Sequence, residues 1–272
     1  MTLLISWLGV DSRGPASAYI ASDSRISWGK YGAFDYGKKV FAFNNYPDII
    51  GYCGDVLFPS IILSQIIEMG DSGLLFSPEY TSKQRFEIIK DRILQSFFKY
   101  PHHLTGIVND IQIIYISRDL SNKDFFCHTI EWRRDGGWNF RKINLPNESD
   151  ILFCLGSGAR EFKENYKRYQ EGPNTSTSRN VFHCFCDTLS NIKDTYCGGA
   201  PQLVGVYRKP GSGGIRYGII KDKKRYFYGA EVYSATNYDS IEWRNDLFER
   251  CDGFSMRRKD GAMEQPDGLR RS

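Results

Sequence analysis

No run of this chain is apolar for long enough to cross a bilayer, no tract is of low complexity and no segment repeats. The first absence sets aside a membrane-spanning helix, which needs about 20 consecutive apolar residues. The start, Met1-Thr2-Leu3-Leu4-Ile5-Ser6-Trp7, lacks the basic leader of a signal peptide and reads as a strand that begins at once. A cytoplasmic protein is therefore expected. Cys-x-x-Cys pairs are missing too. The seven cysteines (Cys53, Cys127, Cys154, Cys184, Cys186, Cys197 and Cys251) are odd in number and scattered, which points to reduced thiols, most of them buried as small hydrophobes. Histidine is scarce, at four residues, and no metal site or cofactor is expected. An excess of one sign of charge is also nearly lacking: 36 Lys and Arg face 32 Asp and Glu, for a net charge of +4. So small a basic excess argues against a nucleic-acid partner.

What is present fits a globular protein. Hydrophobic residues make up 41% of the 272, and the mean hydropathy is −0.45, enough for one domain with a sizeable core. That domain is expected over residues 1–250, followed by a polar, Gly- and Pro-punctuated tail over 251–272 that is expected to be flexible. Residues 3–8 and 18–21 read as paired strands joined by a polar connection over 9–17. A second hairpin is expected from 40–43 and 49–53, with Asn44, Asn45 and Pro47 in its turn. Asp55 can cap a helix that carries Ile62, Ile66 and Met69 on one face. Thr81-Ser82-Lys83-Gln84 forms a capping box before a helix whose apolar face is Phe86, Ile89, Ile93 and Phe97. Strands follow at 111–116, 125–132, 138–143 and 151–155, the middle two joined through Asp135-Gly136-Gly137. Helices at about 161–169 and 178–193 come next, then strands at 202–208, 215–220 and 226–232. Strands, a helix pair, strands, a helix pair and strands make a layered α+β arrangement.

Certain polar and glycine residues stand at the ends of these elements. Thr2 directly follows the initiator methionine. Asp23 closes the apolar strand in Ile20-Ala21-Ser22-Asp23-Ser24-Arg25. Lys39 precedes the apolar run that begins at Val40. Gly54 follows Ile49-Ile50-Gly51-Tyr52-Cys53, Gly156-Ser157-Gly158 follows the strand at 151–155, and Asp194-Thr195-Tyr196-Cys197-Gly198-Gly199 follows the fourth helix. A hydroxyl alone is a weak nucleophile near neutral pH. A free α-amine on the same residue has a pKa of about 8 and can take the hydroxyl proton, directly or through water. Removal of Met1 is expected, because methionine before a small residue is excised, and it would leave that amine on Thr2. A fixed ammonium lowers the cost of an alkoxide, and a carboxylate partner orients the ammonium.

Taken together and in this order, these positions resemble the catalytic framework of proteasome β-type subunits, including the bacterial two-component ring protease, over about residues 2–232. The resemblance implies a four-layer α-β-β-α sandwich of the N-terminal nucleophile hydrolase type. It implies Thr2 as the nucleophile, with Asp23 and Lys39 as its charge partners. Gly54 would supply an oxyanion-hole amide, and Ser157 and Asp194 would support the nucleophile and its amine. Cys197 stands where the family has serine, a weaker hydrogen-bond partner. Ser27 and Tyr52 are expected at the substrate, Ser27 holding its backbone and Tyr52 on the wall of the specificity pocket. The activity implied is threonine-type endopeptidase action on peptides or unfolded chains, through an acyl ester on Thr2. The partners implied are further copies in a ring and, beyond them, an ATP-dependent unfoldase. A noncatalytic ring or scaffold subunit and a small-molecule amidase remain alternative readings on the same fold.

Overall fold

The computed structural model describes residues 2–101, 110–209 and 213–263. His102, His103, Arg270 and Arg271 lie outside the described residues. Strands β1 (Leu4–Asp11) and β2 (Gly14–Ser22) form an antiparallel hairpin. The expected connection over 9–17 is thus strand for most of its length. A register shift between Gly9 and Val10 absorbs one residue, Ser12 and Arg13 make the turn, and Gly14, at φ +95°, opens β2. A two-residue-strand hairpin follows, β3 (Ile26–Ser27) with β4 (Ala33–Phe34). Then come β5 (Val40–Ala42) and β6 (Asp48–Gly54), paired as the sequence indicated.

Helices α1 (Leu57–Asp71) and α2 (Ser82–Lys99) come next. The Phe58 amide donates to Asp55 Oδ1 at 3.2 Å, satisfying one orphan donor at the α1 N-terminus. At α2 both halves of the capping box form, Gln84 N to Thr81 Oγ1 at 3.3 Å and Thr81 N to Gln84 Oε1 at 2.9 Å. Strands β7 (Ile111–Arg118), β8 (Phe125–Arg133) and β9 (Gly137–Ile143) complete a five-stranded antiparallel sheet in the order β5-β6-β7-β8-β9. Trp132 pairs with Trp138 across β8 and β9, and Phe97 packs at 5.0 Å from both rings.

The chain then returns to the first sheet through β10 (Asp150–Leu155), which pairs with β1. Helices α3 (Ala159–Gln170) and α4 (Ser178–Asn191) are followed by β11 (Gln202–Tyr207), β12 (Ile215–Lys221), β13 (Lys224–Phe227) and β14 (Ala230–Glu231). Two further strands, β15 (Glu242–Asn245) and β16 (Arg250–Cys251), have no counterpart in the sequence reading; β15 pairs parallel with β12. The described part of the expected tail, 251–263, is packed rather than loose. Gly253 is buried, Lys259 N donates to Arg250 O at 2.9 Å, and Arg225 Nε donates to Gly253 O at 2.5 Å. Hydrogen bonds to its backbone, with Cys251 and Met256 packed on Trp243 and Ile220, hold this segment, and so few apolar residues leave its composition polar.

Four buried clusters join these elements, the smallest being Ile220, Trp243 and Cys251 of β12, β15 and β16. The first sets Phe58, Ile62, Ile66, Phe86, Ile89, Ile93 and Phe97 of α1 and α2 against Phe41, Ile50, Ile113 and Tyr115 of the five-stranded sheet. The second sets Phe162, Phe182 and Phe185 of α3 and α4 against Trp7, Tyr19 and Leu203 of the other sheet. The third brings Leu4, Ala18, Ile20 and Val204 of one sheet onto Val40, Ile49, Ile114 and Cys127 of the other. The face between the sheets is mostly apolar, with Ser6 of β1 and Thr129 of β8 buried among it.

Candidate active site

The residue before β1 and the residue after β2 lie side by side, because Leu4 pairs with Ser22. Asp23 N donates to Leu3 O at 3.1 Å, and Leu3 N donates to Asp23 Oδ1 at 3.1 Å. Lys39, just ahead of β5, extends its ammonium into this pair. Its Nζ lies 2.9 Å from Thr2 Oγ1 and 2.8 Å from Asp23 Oδ1. The other carboxylate oxygen, Asp23 Oδ2, accepts from Gly198 N at 3.1 Å and Arg25 N at 3.2 Å. Thr2, Asp23 and Lys39 are 1%, 0% and 0% exposed. Ion pairs this deep persist only when their remaining lone pairs and protons are also bonded, and here both carboxylate oxygens are doubly engaged.

The turn Gly156-Ser157-Gly158 presses on Thr2 from the β10 side. Gly156 has φ +89°, and a Cβ there would stand 1.9 Å from the Thr2 carbonyl oxygen, so only glycine fits. The Gly158 amide donates to Thr2 O at 3.3 Å. Ser157 Oγ lies 3.6 Å from Cys197 Sγ, and Cys197 Sγ donates to Asp194 Oδ2 at 3.5 Å. Asp194 is fixed in turn by Tyr196 N, which donates to Oδ1 at 3.0 Å. Burial, and secondarily the charge of Asp23, push the Cys197 thiol up to about 12, so it stands here as a neutral S–H donor.

Gly54 ends β6 with φ +99°, and a Cβ on it would come within 1.7 Å of Asp110 O. Tyr52 N donates to Lys39 O at 3.1 Å, just past the Val40–Gly51 pair. Gly54 is two residues further on, so by the alternation of an antiparallel ladder its amide shares that edge, beyond the start of β5. Tyr52 itself departs from expectation. Its ring is 1% exposed and packs against Phe41 in the helix-side cluster, and its hydroxyl donates to Lys38 O at 3.2 Å. Period-2 alternation turns it away from open solvent, so it braces the backbone beside Lys39 instead of presenting an exposed wall. Ser27 is half-buried in β3, with its hydroxyl accepting from Gly29 N at 3.2 Å.

Two residues escaped the sequence reading. Arg25 forms a bidentate pair with Asp35, 2.7 and 2.9 Å, and donates to the carbonyls of Thr195 and Cys197. Its signal was its place in the Asp-Ser-Arg run. Gln202 is wholly buried beside Asp23, and nothing in its local sequence marks it. Among the described residues no group of three or more His, Cys, Asp or Glu is placed to hold a metal ion, and no helix is long and apolar enough to cross a membrane. A cleft of about 410 Å³ between α4 and the C-terminal turns, lined by His183, Asp187, Glu249 and Arg258 among others, contains none of the site residues.

No family model matches this chain, and no curated protein does. Solved structures match. Anbu (ancestral beta-subunit) from Yersinia bercovieri aligns with 78% of this chain and 86% of its own at 10% identity and a TM-score of 0.53. Anbu from Pseudomonas aeruginosa, solved as a helical assembly of the Anbu complex, aligns over 87% and 89% at 12% identity and 0.51. A Gly-1 mutant of Anbu from Hyphomicrobium sp. strain MC1 aligns over 75% and 82% at 13% identity and 0.50. The chain shares its fold with Anbu. At these identities the likeness concerns the fold alone, and it meets the β-subunit expectation at that level.

Proposed function

We propose that this chain is an N-terminal nucleophile hydrolase of the proteasome β type and cleaves peptide bonds through an acyl ester on Thr2 after Met1 is removed. The observation that carries the reading is the Lys39 ammonium held between Thr2 Oγ1 and Asp23 Oδ1 in a buried cluster. The neighbouring helix-on-sheet and sheet-on-sheet clusters support the finer fold reading, an α-β-β-α sandwich.

In this mechanism the Thr2 hydroxyl attacks the scissile carbonyl carbon while its proton passes to the Thr2 α-amine. Lys39 lowers the cost of the alkoxide by its fixed charge, and Asp23 keeps that charge aimed. The tetrahedral oxyanion is met by the Gly54 amide. Collapse expels the amine half of the peptide, which takes the proton, and leaves an ester on Oγ1. Water, deprotonated by the same α-amine, then hydrolyses the ester. Ser157, Cys197 and Asp194 support the amine's side of the site. Self-assembly of this chain, with sites facing an enclosed space and an unfoldase feeding them, is proposed on the same footing; the helical assembly belongs to the Pseudomonas Anbu.

Two measurements test this. Intact mass of protein from its native host is expected to show Met1 absent, and full retention of Met1 would end the mechanism. Thr2→Ala is expected to lower peptide-amide hydrolysis by several orders of magnitude with the fold intact; activity near wild type would move the chemistry elsewhere.

A further inference from the structure

We infer that Gln202 is a positioning residue for the catalytic lysine: its side-chain amide sets the backbone of Lys39 and so the reach of Nζ to Thr2. The catalytic consequence rests on the proposed function; the structural claim does not.

Gln202 opens β11 and pairs with Ser22, the residue before Asp23. Its side chain is 1% exposed and joins three segments. Oε1 accepts from Lys39 N at 3.0 Å. Nε2 donates to Asp23 O at 3.0 Å and to Gly37 O at 2.7 Å. The amide orientation is fixed by its partners, since a backbone N–H requires the oxygen and two carbonyls require the nitrogen.

This contact matters because residues 35–39 have no ladder of their own. They run from the end of β4 to the start of β5 as turn and irregular backbone. Buried peptide groups in such a stretch need partners from elsewhere. Lys39 O has one in Tyr52 N, and Lys39 N has Gln202. The peptide from which the catalytic ammonium projects is thus held on both sides, once by the five-stranded sheet and once by a residue of the other sheet. The same amide holds the carbonyl of Asp23, so one side chain ties the backbone of both charge partners. Gly37 leaves little slack, as a Cβ there would stand 2.5 Å from Ile26 Cδ1.

No other side chain fills this role. Asparagine is one methylene short. Ionised glutamate accepts only and would turn an oxygen toward two carbonyls. Methionine keeps the length and leaves one N–H and two carbonyls buried without partners.

The test compares wild type, Gln202→Met and Gln202→Glu. Rates on a fluorogenic peptide amide are measured across pH, and NMR follows exchange of the Lys39 amide. Gln202→Met is expected to lose kcat by roughly 100-fold, the scale of a 1 Å misplacement, with KM little changed, and to expose the Lys39 amide to exchange. Gln202→Glu is expected to recover rate relative to wild type as pH falls, because a protonated carboxyl again donates to a carbonyl. A drop in melting temperature with kcat per folded molecule unchanged would overturn the inference, as would fast exchange at Lys39 in the wild type. That last measurement stands even where neither variant folds. If the wild type hydrolyses no peptide, the proposed function fails, while the exchange arm still decides the role of Gln202.

Discussion

Cys197 shows how much one atom decides at the residue scale. Its sulfur touches both Ser157 and Asp194, and it is also part of the core under α3 and α4. Cys197→Ser is expected to keep activity and to raise it, since a hydroxyl is the better partner for both neighbours. Cys197→Val leaves Ser157 and Asp194 without that partner and is expected to lower the rate while sparing the melting temperature. If valine is active and serine is crippled, the sulfur belongs to the core and not to the site. His128 offers a second test. Its ring stacks on Phe86 at 3.9 Å, and burial, with Lys142 nearby, lowers it from 6.5 to about 4. The unfolded chain therefore binds more protons between those values, and stability falls as pH drops from about 6.5 toward 4, at no more than about 1.4 kcal/mol per pH unit from this group. His128→Phe is expected to flatten the stability–pH curve in that window; an unchanged slope would place the acid sensitivity elsewhere. The charge partners were legible in the sequence because each stands beside a strand end in a recognisable run. Gln202 was not, because a side chain that acts on backbone groups more than 160 residues away leaves no spacing to read.

Elements were legible where burial is one-sided. All four apolar positions assigned to α2 are buried, and its capping box forms as its first residues indicate. What escaped was short or irregular: the continuation of β1 and β2 past Gly9, and β15 and β16, whose few residues carry no period of their own although Trp243 and Cys251 are buried. Between elements, the buried pair of Asp48 on β6 and Arg85 on α2 fixes how that helix meets its sheet. Arg85 Nε and Nη2 reach Asp48 at 2.7 and 2.9 Å, and Nη2 also donates to Arg118 O at 3.0 Å. Both side chains are fully buried. Asp48→Ala strands a buried guanidinium and is expected to cost about 3–5 kcal/mol in denaturant unfolding. Replacing both, as Asp48→Leu with Arg85→Met, is expected to cost much less than that. A single mutant milder than the double would show that the pair does not organise this contact.

For the whole molecule, the two helix pairs differ in what they leave to solvent. On α1, Leu57 and Ile61 stand one turn apart and exposed, and Phe98 near the end of α2 is 86% exposed. Leu74, after α1, is exposed as well. Apolar side chains gathered on one helix pair mark a contact face more often than isolated ones do, and the occupant we expect is a second copy of this chain. A contact between unlike faces closes into a ring only if its rotation divides the circle; otherwise it grows as a helix. Sedimentation at micromolar concentration is therefore expected to show an assembly far heavier than one chain, and electron microscopy to show whether it closes. Leu57→Glu with Ile61→Glu places two charges on the face at once and is expected to shift the population to monomer, with far-ultraviolet circular dichroism unchanged because neither side chain is in the core. If the wild type sediments only as monomer, self-assembly is refuted. If the double variant still assembles, the copies meet through another surface, and the exposed apolar residues of α1 are not the contact.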